Sequence, residues 1–288
     1  MAATRWSHAT SISQKQDRRW PVSRFMMTTM TTKQQSVPSS STPAGVFGPM
    51  AGDPRQALVE AGAVARRIMA SVGPADVDRP SPAGMSVGDL TSHLVMAMRR
   101  AACLGHNEPF DTWPVDAPDV NIETAGAALD RALTELDEAW ADDSILTAAR
   151  PLPWATEALG AESLACYVSE LIVHTWDMAR AAGSGATGSG ATGSGATGSG
   201  ATGSRATGSR ATWSDETIEV ALAVMGVQLP VPERMPIWLG VAEQFDVPPE
   251  QLDQVAPFAD AVPVSGDAPA IDRLVGWVGR NPSWPESS

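Results

Sequence analysis

Apolar side chains recur every three or four positions in four long stretches, the period of a helix with one buried face. The first runs from about Asp53 to Val72, with Leu58, Val59, Ala61, Ala65, Ile68 and Met69 near helical spacing, and Gly73-Pro74 ends it. The second begins at Ser86, with Asp89 three residues on as a variant capping box, and reaches about Leu104. Its stripe is Leu90, Leu94, Ala97 and Met98. The third covers about Ile122 to Ala141 through Ala125, Leu129, Leu133, Leu136 and Trp140. The fourth, about Ala161 to Ala182, stops at Gly183. Four such helices without convincing strands predict an all-α protein, an antiparallel four-helix bundle.

A five-residue repeat interrupts this pattern. Residues 183–212 contain four copies of GSGAT and then two of GSRAT. A Gly/Ser-rich tract has no apolar surface to bury and is expected to behave as a flexible coil with an r.m.s. span of roughly 30 Å. The simplest origin is a loop expanded by slippage of the repeat. Beyond it, Ser214 with Asp215 and Glu216 opens a helix to about Val227, and a last helix lies near Pro269 to Val278. The chain thus divides into a disordered leader (1–49), the bundle (50–182), the low-complexity linker (183–212) and a C-terminal helical extension packing on the bundle (213–288).

Charge narrows the function. The 288 residues hold 20 Lys and Arg against 33 Asp and Glu, a formal net charge of −13. Six basic side chains and only Asp17 as an acid fall in residues 1–45, so the acidity belongs to the rest. A body this acidic argues against binding to nucleic-acid phosphates and to an anionic membrane surface. No apolar run approaches the ~18 residues of a membrane span. Two cysteines, Cys103 and Cys166, are too few for a disulfide framework, and a reducing cytoplasm is the expected compartment.

The fourth helix raises a chemical question. In "SELIVHTWDMARAAG", Glu170 and His174 stand one turn apart beside Leu171, Ile172 and Val173. A carboxylate on so apolar a face needs a proton, an arginine or a metal ion as its partner. The second helix carries His93 beside Leu90, Leu94 and Ala97, and small Ala97 leaves room for a neighbouring helix. Two facing helices can bring His93, Glu170 and His174 to one point, a set of N and O donors suited to Zn²⁺ with positions left open. Around them, Asp89 reads as a helix cap, Cys166 as a small buried residue and Trp176 as core. Asp177 reads as the partner of a backbone group or Arg180, a contact with His174 being the other reading.

The wording of the two helices, "SVGDLTSHLV" and "SELIVHTWDMARAAG", resembles the DinB-like superfamily, in particular the mycothiol-dependent maleylpyruvate isomerase N-terminal, metal-binding group. The closing "DRLVGWVGRNPSW" is similar to the ending of a shorter subgroup of these proteins. The resemblance implies a DinB-like bundle whose ligand triad falls on His93, Glu170 and His174. It implies a divalent metal that activates a thiol, mycothiol in the family, for attack on an electrophilic substrate as a transferase or isomerase. A non-catalytic metal-binding sensor or regulatory module on the same bundle is the alternative. Arg99, Arg100 and Arg131 match no motif for the isomerase's substrate arginine, and the C-terminal part is reduced, so maleylpyruvate isomerisation itself is not implied.

Overall fold

A computed structural model of the chain describes residues 53–152, 155–183, 186–188, 211–229, 231–244 and 258–284. The expected leader, most of the repeat and the acidic stretch Asp246–Asp253 lie outside them. The described chain is mostly helical: α1 (Pro54–Ser71), α2 (Val87–Gly105), α3 (Ala125–Ala139), α4 (Asp143–Thr147), α5 (Gly160–Ala181), α6 (Asp215–Gln228), α7 (Met235–Gln244) and α8 (Ala270–Trp277).

The helix starts follow from local chemistry. Asp53 accepts from the Arg55 amide at 2.9 Å and Pro54 occupies the first turn of α1, where no amide is needed. Ser86 Oγ accepts from the Asp89 amide at 3.1 Å and donates to Asp89 Oδ2 at 2.8 Å, so Asp89 closes the cap of α2 as its position suggests. The third helix begins later than its periodicity predicts, because Asn121 Oδ1 accepts from the amides of Glu123 and Thr124 and holds those residues in a turn. Asp142 caps the short α4 by accepting from the Ser144 amide, an element with too few residues to show a period.

The burial of each stripe explains the packing. Leu58, Ala61, Ala65 and Ile68 of α1 are buried, whereas Val59 is 61% exposed, one residue off that face. Leu90, Leu94 and Met98 of α2 face inward with Leu129, Leu133 and Leu136 of α3. Around the core α1 packs on α3 and α5, and α2 packs on α3 and α5, so each of the four long helices touches two others. A Cβ on Gly105 would stand 2.7 Å from Trp140 Nε1 and 2.9 Å from the Ala139 carbonyl oxygen, which explains why α2 can end so close to α3 only with glycine there. The buried Trp140 donates its indole N–H to the Ala101 carbonyl across the same contact, at 2.9 Å.

The C-terminal part is attached through α6, which packs on α1 and α5, and α8 packs on α6. Glu60 of α1 receives the Ser214 amide at 2.6 Å and the hydroxyls of Ser214 and Thr217, each at 2.5 Å. A carboxylate from one helix therefore sits at the N-terminus of another, where amides and dipole both favour negative charge. Burial alone would raise the Glu60 pKa, but these donors outweigh it and hold it below its ordinary value.

One departure from the all-helical expectation involves the repeat. Residues Ala186–Gly188 (β1) and Ala211–Trp213 (β2) form a parallel two-stranded ribbon in which Ala186 pairs with Ala211 and Thr187 with Thr212. β1 runs from the first copy of the repeat to the first residue of the second, and β2 from the last copy into Trp213, so these ends are paired backbone and not free coil. Short Ala-Thr units within a glycine-rich tract give no period-2 signal, which is why the pairing is invisible to periodicity. No helix among the described residues is long and apolar enough to cross a membrane.

Candidate metal centre

The site is built where α2 faces α5. His93 lies two turns into α2, while Glu170 and His174 occupy successive turns of α5, one above the other as i and i+4 positions must be. Glu170 Oε2 stands 3.4 Å from His93 Nε2 and 3.3 Å from His174 Nε2. The imidazole rings meet edge to face, their centroids 4.7 Å apart at 80°. One N or O atom from each of the three lies within 4.8 Å of the other two. Their side chains keep 27%, 33% and 13% of their surface for His93, Glu170 and His174, so the cluster is recessed but open to a small molecule.

Electrostatics makes the three unequal. Burial lowers the His93 pKa and outweighs the opposing pull of Glu170, which leaves a neutral imidazole with a lone pair to offer. Burial would raise the pKa of Glu170, but hydrogen bonds from His174 and His93 win and hold it far below the carboxylate range. For His174 burial acts downward, yet Asp177 and then Glu170 outweigh it and lift its pKa to about 9.

His174 is oriented from behind. Its Nδ1–H donates to Asp177 Oδ2 at 3.1 Å; the carboxylate can only accept, so the contact fixes the proton on Nδ1 and turns Nε2 toward Glu170. Asp177 has no exposed side-chain surface, and its Oδ1 accepts from Arg280 Nε at 3.2 Å. The expected partner of Asp177, a backbone group or Arg180, is therefore replaced by His174 and Arg280. Arg180 is occupied elsewhere: its guanidinium lies 5.5 Å over the Trp176 ring and donates to the Trp284 carbonyl. Arg280 was not legible from spacing, because it follows Gly279, whose φ of +85° makes a turn that carries no periodicity.

The other candidates fall into place around this arrangement. Trp176 is core, with 1% of its surface exposed. Cys166 is buried and its thiol accepts from Gln228 Nε2; burial drives its pKa well above the usual thiol value. Arg99 pairs with Asp119, Nη2 to Oδ2 at 2.7 Å. Arg100, two turns beyond His93, donates from Nε to the Pro114 carbonyl at 2.6 Å, and its buried Nη2 has no hydrogen-bond partner among the described residues. Burial pulls its pKa down, while the fields of Tyr167 and Glu170 oppose that.

Fold and site together define a helical protein with a recessed His–Glu–His cluster between two core helices. Residues 58–179, from α1 to almost the end of α5, match the family model of the mycothiol maleylpyruvate isomerase N-terminal domain. The resemblance carried by the two motif helices is borne out over that span, which includes all three cluster residues and excludes everything after the repeat. No curated protein and no solved structure matches the chain.

Proposed function

We propose that His93, Glu170 and His174 hold a divalent metal ion, Zn²⁺ being the best fit, on a DinB-like antiparallel four-helix bundle, and that the protein is a cytoplasmic mycothiol-dependent transferase or isomerase. One observation carries the metal: two imidazole nitrogens and one carboxylate oxygen from two facing helices converge, all within 4.8 Å of one another. Two imidazole nitrogens and one carboxylate oxygen are also the donor set of a three-ligand site that keeps a coordination position open.

When bound, such an ion supplies Lewis acidity and lowers the pKa of a thiol placed at the open position. The residues prepare that position. Neutral His93 would offer its Nε2 lone pair in the tautomer protonated on Nδ1, charged Glu170 would offset the charge of the ion, and Asp177 would hold the His174 ring by its far nitrogen. The chain's own thiols are unsuited to nucleophilic work. Burial pushes Cys103 up to about 12 and Cys166 well above its ordinary value, so both stay protonated at neutral pH. That favours a thiol from outside, and the matched family supplies mycothiol as its identity. The sulfur would then add to an electrophilic carbon or displace a leaving group from it, the thiol proton passing to solvent.

The test is elemental analysis of the purified protein followed by incubation with mycothiol and a panel of electrophiles. About one ion per chain and thiol-dependent loss of an electrophile are expected. Metal without turnover assigns the cluster to the non-catalytic sensor or regulatory module, and metal-free protein that takes up no added Zn²⁺ removes both readings.

A further inference from the structure

The three donors all come from the matched helices, yet His174 is held in place by a residue outside them. Asp177 is sealed from solvent and has two side-chain partners among the described residues, His174 Nδ1 on one oxygen and Arg280 Nε on the other. Without a cation behind it, a buried carboxylate loses the partner that holds its plane, and with it the fixed acceptor that faces His174 Nδ1. Arg280 is itself placed by backbone: its amide donates to the Val275 carbonyl at 2.8 Å, closing the end of α8, and Gly279 makes the turn. A Cβ on Gly279 would lie 2.9 Å from Ala259 Cβ and 3.0 Å from the Ala259 carbonyl oxygen. The turn is thus wedged against the segment that precedes α8, with little room to shift.

We propose that Arg280 is a positioning residue for the cluster: by clamping Asp177 it fixes the tautomer and tilt of His174, and so tunes metal affinity from a segment that supplies no ligand. This rests on the metal reading above and adds a reciprocal consequence. Whatever binds more tightly when the clamp is closed must also favour the closed clamp, so metal and the docked C-terminal segment stabilise each other.

The experiment is a Co²⁺ titration, followed by the visible d–d bands of the ion, on the full-length protein and five variants. Arg280→Met is expected to weaken binding about 10- to 100-fold, the usual range for losing an outer partner of a metal-bound histidine. Arg280→Lys keeps a cation beside buried Asp177 but not the N–H at that place, and guards against misfolding; a loss of at least about threefold is expected. In an Asp177→Asn background, Arg280→Met should add no further loss, because its route to the metal is already cut. Arg180→Met loosens the Trp284 tail without touching Asp177 and should leave affinity within about twofold. If Arg280→Met and Arg280→Lys both bind as wild type does, or if the losses from Asp177→Asn and Arg280→Met simply add, the clamp is overturned while the metal site stands. If the wild-type protein binds no Co²⁺ or Zn²⁺, the metal reading falls and takes the clamp with it.

Discussion

The helices before the repeat and the segment after it contribute to the same few ångströms in different ways. The first supplies every donor atom of the cluster, from α2 and α5, and is the part that matches a family. The second supplies none, but it supplies fastenings: Ser214 and Thr217 on Glu60, Arg280 on Asp177, and the Trp284 carbonyl for Arg180. The contrast teaches that chemistry and its rigidity can be encoded in separate stretches. Donor residues are tied to helical spacing, because two ligands one turn apart on a helix must be three or four residues apart. Fastenings need only arrive, by any route the backbone allows.

Substitutions can break that division, and the largest effect should come from the donors. His93→Ala, Glu170→Ala or His174→Ala should each take the purified protein from about one ion per chain to essentially none by elemental analysis, with the helical circular dichroism retained. Next come the cores. Leu94→Ala in α2 and Ile271→Ala in α8 remove buried side chains, and each should cost about 2–5 kcal/mol in urea titration. A single transition in both variants would show that the two regions unfold together; two separated transitions would show that the fastenings do not make one cooperative unit.

A smaller effect is expected at Glu60. Glu60→Gln should lose about 1 kcal/mol at neutral pH, toward the low end for charged hydrogen bonds because the carboxylate is only half-buried. The folded-state pKa of Glu60 is depressed, so its stabilisation is present in full above the unfolded carboxylate value and disappears as pH falls through the folded one. The gap between wild type and variant should therefore close on acidification below about pH 4.5. Smallest of all, deleting one whole copy of the repeat between β1 and β2 should change stability by only about 0.2 kcal/mol through loop closure, with metal content unchanged. Loss of metal on that deletion would tie the tract to the site.

Much of this architecture was legible in the chain. The four long helices follow from stripes such as Leu90, Leu94 and Met98, because burying one face of a helix forces its period into the sequence. His93, Glu170 and His174 could be singled out because polar groups on such stripes break the pattern at ligand spacing. What escaped was non-local or irregular. Val59 fits the stripe of α1 loosely and lies outside, since one residue is a 100° rotation. Asn121 delays α3 by a side-chain hydrogen bond that competes with the helix. Asp177 could be placed on the face of His174, but its second partner lies 103 residues on, beyond the repeat and behind a glycine turn. The dipeptide Gly279-Arg280, a left-handed residue followed by a long cation, is the only local trace of that contact in the sequence around Arg280.

The ribbon closing the repeat has a consequence for inheritance. Ala186 and Ala211 occupy the same place in the GSGAT and GSRAT units, as do Thr187 and Thr212. Tandem tracts gain and lose units when the copying machinery slips, and each such event leaves the outermost units alanine-threonine at the same phase. The ribbon is therefore blind to how many units lie between its strands. Length variation in this gene would be absorbed before it reached Glu60, Asp177 or the cluster.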